Sequence, residues 1–210
     1  DSMVKALGGT YDAFQLMVFR SAIALLPVAY FIRRAGGLRS LRPNRPWLQG
    51  LRIVVAFGST LGFFYVFPRM PLVDAYAISY AAPLFMVALS VPMLGEPVGW
   101  RRWTAVVVGF IGVLIMLDPW GIEFHAMSLI VLGATFCYAL STVMLRLLSR
   151  HDSDVVALFW LSIVTTAAAL VGAVPVWVWP TPTDWLWLCV MGLLGGTAQI
   201  LNTRAWRLAP

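Results

Sequence analysis

Arg33-Arg-Ala-Gly-Gly-Leu-Arg39-Ser-Leu-Arg42-Pro-Asn-Arg45 is the stretch on which the fold turns. It interrupts two apolar runs, Ala13 to Ile32 and Leu51 to Phe67. Each approaches the roughly 20 residues an α-helix needs to cross about 30 Å of hydrocarbon. Working outward, further runs at Leu72 to Leu94, Trp103 to Leu117, Ala126 to Leu148, Val155 to Val178 and Trp185 to Leu208 complete seven expected spans. The runs are continuous, without the period-two alternation of barrel strands, so the spans are helices. The expected fold is an all-α polytopic membrane protein.

The connections set the direction, because Lys and Arg are retained on the cytoplasmic side. The quoted loop is therefore cytoplasmic. Later connections alternate in the same sense: Arg69 alone, then Arg101 and Arg102, then none from Asp118 to His125, then Arg146 and Arg150, then none from Trp179 to Asp184, then Arg204 and Arg207. The expected location is the inner membrane, multi-pass, with the Arg-rich loops inside. Tryptophans near the predicted ends, among them Trp47, Trp100, Trp179 and Trp185, suit the headgroup boundary.

Composition excludes several classes. A chain of 210 residues that is 60% hydrophobic and 11% charged, with mean hydropathy +0.84, lacks the polar residues to cover a soluble surface. The +6 charge follows from topology, so no nucleic-acid partner is expected. Cys137 and Cys189 fall in different spans, and His125 and His151 stand alone in loops. No metal, cofactor or catalytic cluster is therefore read.

A weak internal repeat is present. Tyr65 to Pro71 resembles Arg204 to Pro210, Phe19 to Ser21 resembles Trp160 to Ser162, and Gly58/Gly62 is matched by Gly192/Gly196. The paired helices, first with sixth and second with seventh, run in opposite directions by the arginine count. Inverted repeats of this kind mark secondary transporters. The reading expects residues 1–125 to be a first repeat lacking its first helix and 126–210 the truncated start of a second, so the chain is expected to be an internal piece of a longer protein.

From Phe63 to Asp118 several linked elements occur in order: an aromatic helix end, Pro71 and Asp74 entering the next helix, a mid-helix Ala82-Pro83, then Leu94-Gly95-Glu96 and a glycine-containing span. In these the chain resembles the drug/metabolite transporter superfamily, EamA-type branch. The resemblance implies ten helices in two inverted repeats, of which this chain would hold the second through eighth. It also implies small metabolites or drugs as cargo.

Polar groups at membrane depth face a bundle interior or a solvated cavity. Arg20 lies within about 4 Å of the expected midplane at 1.5 Å rise per residue; a central Arg costs about 2.5–3.5 kcal/mol on insertion scales. It is either a contact for a substrate carboxylate or a structural pin. Pro83 frees the carbonyl of Ser79, so Ser79, Tyr80 and Pro83 flank an expected kink on the pathway, with Tyr76 one turn outward. Gln199 and Asn202, with Thr203, share a face of the seventh span, either lining the pathway or bonding between helices. Tyr138 and Trp160 are candidate aromatic walls. Glu96 reads as an anchor at the cytoplasmic end of the third span, and Asp74, which begins that span, as its cap. None of the nine carboxylates falls in the middle third of a span, which leaves no evident proton relay here.

The expected partners are a small-molecule substrate and the lipid bilayer, with the oligomeric state open. The expected function is alternating-access transport of small organic metabolites, inclined to export of amino acids or aromatic amphiphiles. Import of a cofactor precursor or nucleoside-like solute stands as the alternative. A seven-helix receptor shares the count of spans, but the sole lysine, Lys5, lies outside the last helix, where no retinal Schiff base forms. A membrane enzyme would need clustered catalytic groups that the sequence does not carry.

Overall fold

The computed structural model describes residues 2–34, 41, 43–95, 99–117, 126–149 and 152–208. Every regular element among them is helical: α1 (Ser2–Leu7), α2 (Ala13–Arg34), α3 (Pro46–Val66), α4 (Leu72–Ser79), α5 (Ala82–Leu94), α6 (Trp100–Leu117), α7 (Ala126–Leu148), α8 (Asp154–Ala173), a 3₁₀ turn (Val174–Val176) and α9 (Pro182–Leu208). Six described stretches are long and apolar enough to cross a membrane. α6, which carries the fourth expected span and opens on Arg101 and Arg102, is not among those six. Glu96 and the His125 and His151 positions lie outside the described residues.

Local chemistry explains the boundaries. Asp12 accepts the Phe14 N–H with Oδ1 at 2.9 Å, and α2 begins between them. α3 starts at Pro46, five residues before the expected Leu51, since proline suits the first helical position. Gly95 ends α5 with φ +67, a left-handed cap that glycine adopts without strain. Asp74 sits in the first turn of α4, where Pro71 holds the capping position, so it is not the cap that was expected.

The expected third span is two helices. Pro83 cannot donate to the Ser79 carbonyl, and the chain breaks into α4 and α5 across Tyr80 and Ala81. The Ala81 N–H turns to the Ile78 carbonyl at 3.0 Å, a three-residue step that tightens the end of α4.

The helices form two compact units, one of Asp1–Ile53 with Leu148–Pro210 and the other of Val54–Leu147. In the first, α2 packs against α8 and α9. Contacts along α2 and α9 advance in the same order, Tyr11 with Asp184, Phe19 with Trp185, Ile23 with Gly192 and Ala24 with Gly196, so these two run parallel. Phe14 meets Gly172, whereas Val28 shares a buried cluster with Leu158, so α2 and α8 run antiparallel. A Cβ at Gly192 would come within 2.5 Å of the Ile23 Cβ, so glycine there sets the close approach of α9 to α2. The start of α3 lies beside the start of α8, where Asn44 bonds Asp152 and Gln49 bonds the Ala157 carbonyl.

In the second unit Phe85 of α5 receives edge-on contacts from Phe110 of α6 and Phe136 of α7, with centroids 5.1 and 5.4 Å away. The Ser59 hydroxyl donates to the Ala134 carbonyl at 2.9 Å, one turn from Gly62, whose missing side chain lets α3 approach Ala134.

Candidate functional site

The nine expected site residues divide between the two units. Arg20, Trp160, Gln199 and Asn202 belong to the first, and Tyr76, Ser79, Tyr80, Pro83 and Tyr138 to the second.

In the first unit Arg20 extends from α2 across α9 at Gly195. A Cβ on Gly195 would lie 3.1 Å from the Arg20 Nε and 3.5 Å from its Cγ, so the glycine leaves the channel in which the guanidinium arm lies. Gln199 stands one helical turn further along α9, and both it and Asn202 are half-buried. A cation, an amide and a bare backbone patch are thereby gathered on the α2–α9 contact inside a spanning bundle. Trp160 serves differently: its indole N–H donates to the Leu41 carbonyl at 2.8 Å, pinning the connection before α3 to α8.

In the second unit Ser79 turns its hydroxyl back to the Ala75 carbonyl at 2.7 Å, satisfying the last turn of α4. Tyr80 stands at the break and is 77% exposed. Pro83 occupies the first turn of α5 and is likewise exposed. Tyr76 and Tyr138 each present a partly exposed ring, and Tyr76 lies 6.1 Å from Phe67 between centroids. The break thus carries a polar backbone and accessible phenols within one unit.

Two polar networks in the first unit escaped the sequence reading. At one end Tyr11 donates to the Asp184 Oδ2 at 2.6 Å and Thr181 donates to the same oxygen at 2.7 Å. Donating its proton to Asp184 holds the Tyr11 phenol above its ordinary value. Beside it Gln15 pairs with the backbone of Val178. At the other end Arg52, 2% exposed, and Gln49 both donate to the Ala157 carbonyl, while Asp152 accepts from Asn44. The one available signal was the placement of Gln15, Gln49 and Arg52 within helices that are otherwise apolar. Among the described residues no three His, Cys, Asp or Glu side chains gather as a metal site would require, and Cys137 and Cys189 are free thiols.

Long apolar helices packed through glycines around buried polar groups define a polytopic helical membrane protein. The EamA-like transporter family model matches residues 2–118, and the chain belongs to that family, within the drug/metabolite transporter superfamily. It is a transporter and not an enzyme. It is similar to the S-adenosylmethionine uptake transporter of Rickettsia prowazekii, 32% identical over 212 residues that cover 99% of this chain and 70% of the relative. A riboflavin transporter of Vibrio cholerae is 33% identical over 190 residues, 90% of this chain and 64% of the relative. The pseudopaline exporter CntI of Pseudomonas aeruginosa is 26% identical over 208 residues, 98% and 72% respectively. No solved structure matches the chain.

Proposed function

We propose that this protein is an inner-membrane carrier that takes up a small organic metabolite bearing a carboxylate, by alternating access. The observation that carries the reading is Arg20: a spanning helix lays its guanidinium arm against the bare backbone of Gly195. A charge at that depth is expensive unless it works on a partner or cargo. Arginine binds carboxylates through paired N–H donors, so the matching cargo is an acid. S-adenosylmethionine, the cargo named for several relatives, carries the carboxylate of an amino acid. The relatives of 30% identity or more are named for uptake or simply as transporters, and the exporter is more distant, which favours the inward direction over export.

The antiparallel course of α2 and α8 supports two inverted repeats, residues 1–125 and 126–210, rocking around a central site. On this reading Arg20, Gln199 and Asn202 hold the cargo's polar end. Taken by itself, the second unit offers the ring faces of Tyr76, Tyr80 and Tyr138 and the irregular backbone at Ser79 and Pro83 as a candidate contact surface of its own. Trp160 acts through the Leu41 connection. The Arg-rich loops face the cytoplasm.

The exposed tyrosines favour a second reading, an uncharged ring solute of the riboflavin kind. Uptake by proteoliposomes of the full-length protein separates the two. S-adenosylmethionine is expected to accumulate faster than in empty vesicles and to be competed by amino acids. Accumulation of riboflavin alone would select the second reading, and failure of every solute to cross would overturn both.

A further inference from the structure

Hydroxyls on spanning helices usually satisfy themselves by donating to the carbonyl four residues back. Ser21, Thr135, Thr142 and Thr166 do so here, at 2.7–2.8 Å. Thr165 does not. It neighbours Thr166 on α8, is only 7% exposed, and its Oγ1 finds no hydrogen-bond partner among the described residues.

The direction of that hydroxyl follows from register. Phe14 meets Gly172 at one end of the α2–α8 contact, and Val28 clusters with Leu158 at the other. Thr165 is seven residues from both Leu158 and Gly172, and Ser21 is seven residues from both Phe14 and Val28. Thr165 therefore stands level with Ser21 and its neighbour Arg20, on the α8 stripe that also buries Leu158, Ala169 and Ala173. Ser21 has already committed its proton to Met17. The unspent O–H of Thr165 thus stands on the helix packed against α2 at the level of the Arg20 backbone, while the Arg20 arm reaches along α2 toward Gly195.

We infer that Thr165 is a specificity-determining residue of the carrier, its O–H donating to one oxygen of a cargo carboxylate while the guanidinium of Arg20 holds the other. A desolvated carboxylate needs several donors, and one cation alone leaves lone pairs unmet. The inference rests on the proposed carriage of an acid.

The test uses the full-length protein in proteoliposomes, with S-adenosylmethionine and its decarboxylated form as probes and Thr165→Val and Thr165→Ser as variants. Valine keeps the shape and removes the O–H, and loss of an unsatisfied hydroxyl does not harm folding. The expected result is that T165V raises the KM for S-adenosylmethionine about tenfold, leaves the KM for the decarboxylated probe unchanged, and that T165S restores the wild-type value. An unchanged KM in T165V, or an equal rise for both probes, overturns the role of Thr165 while leaving carriage of the acid intact. A wild-type protein that moves neither probe, or moves both equally well, overturns the carboxylate reading itself and this inference with it. Melting temperatures of both variants within a few degrees of wild type identify any KM change as a binding effect.

Discussion

The side-chain amide of Gln15 is paired in both directions with the backbone of Val178: its Nε2 donates to the carbonyl and its Oε1 accepts the N–H at 3.1 Å. One side chain thereby does for the α8–α9 connection what a neighbouring strand does in a sheet, satisfying a donor and an acceptor that no helix covers. The flanking rings complete the junction, Phe19 lying 5.6 Å from Trp177 and 5.0 Å from Trp185 between centroids.

Gln15 is fully buried, so its removal exposes no compensating solvent. Gln15→Ala is expected to lower stability by about 2–3 kcal/mol, the loss of a packed side chain together with two orphaned backbone groups. Gln15→Glu keeps the acceptor and loses the donor, and should fall between. Thermal unfolding in detergent, read by tryptophan fluorescence, checks the order; a variant as stable as wild type would show that the junction holds without the amide.

Tyr11 reports on the same end through pH. Its hydrogen bond to Asp184 raises the folded phenol above the ordinary value, so the bond's contribution is fully present below the unfolded pKa of about 10. It is lost as pH rises through the folded value. The stability gap between wild type and Tyr11→Phe should therefore be constant from pH 7 to 9 and close above pH 10. Melting curves across that range measure it; a gap that stayed constant however far the pH was raised would assign the effect to packing.

Much of this architecture is legible in the residue order, and the reason is the solvent. Hydrocarbon demands long apolar runs, so α2, α7 and α9 can be located to within a few residues, while loops such as the one after Ile32 announce themselves by arginine. Pro46 moves the start of α3 because a first-turn proline serves a helix that the hydropathy reading begins later. Pro83 marks a disturbance, but whether it bends one helix or ends one and starts another depends on where the Ala81 N–H goes, which periodicity does not encode. The partners of Gln15 and Asp152 lie 163 and 108 positions away, and pairs so distant become visible only in three dimensions. Arg20 stands out in the sequence by its cost at depth, whereas Thr165 does not, because threonines normally bond their own helix.

Arg52 offers a test of buried charge. Its Nη1 donates to the Ala157 carbonyl at 3.2 Å, but Nε is buried without a hydrogen-bond partner among the described residues. Gln49 donates to the same carbonyl at 3.1 Å, so that oxygen stays satisfied if Arg52 is replaced. Replacing an incompletely paired buried charge by an apolar chain of similar length is often neutral or stabilising. Arg52→Met is thus expected to keep or raise stability by up to about 2 kcal/mol, whereas Gln49→Ala combined with it should destabilise by about 1–3 kcal/mol as the α3–α8 contact loses both side-chain donors and the buried packing of Gln49. Denaturant titration of the two variants checks this; a large loss in Arg52→Met alone would mean that the guanidinium meets a requirement other than the Ala157 carbonyl.

Pro83 divides α4 from α5 beside the exposed ring of Tyr80. Alanine in its place supplies the missing N–H to the Ser79 carbonyl, and a continuous helix from Leu72 to Leu94 becomes available at a gain of up to about 3 kcal/mol in helix propensity. If the break is needed for the bundle to rearrange during transport, Pro83→Ala should fold with equal or greater stability yet transport several-fold more slowly, with KM little changed because the proposed carboxylate contacts belong to the other unit. Uptake rates in proteoliposomes, set beside melting temperatures, separate the two effects. A variant that is more stable and equally fast would make the break a packing feature of α4 and α5 with no part in the transport cycle.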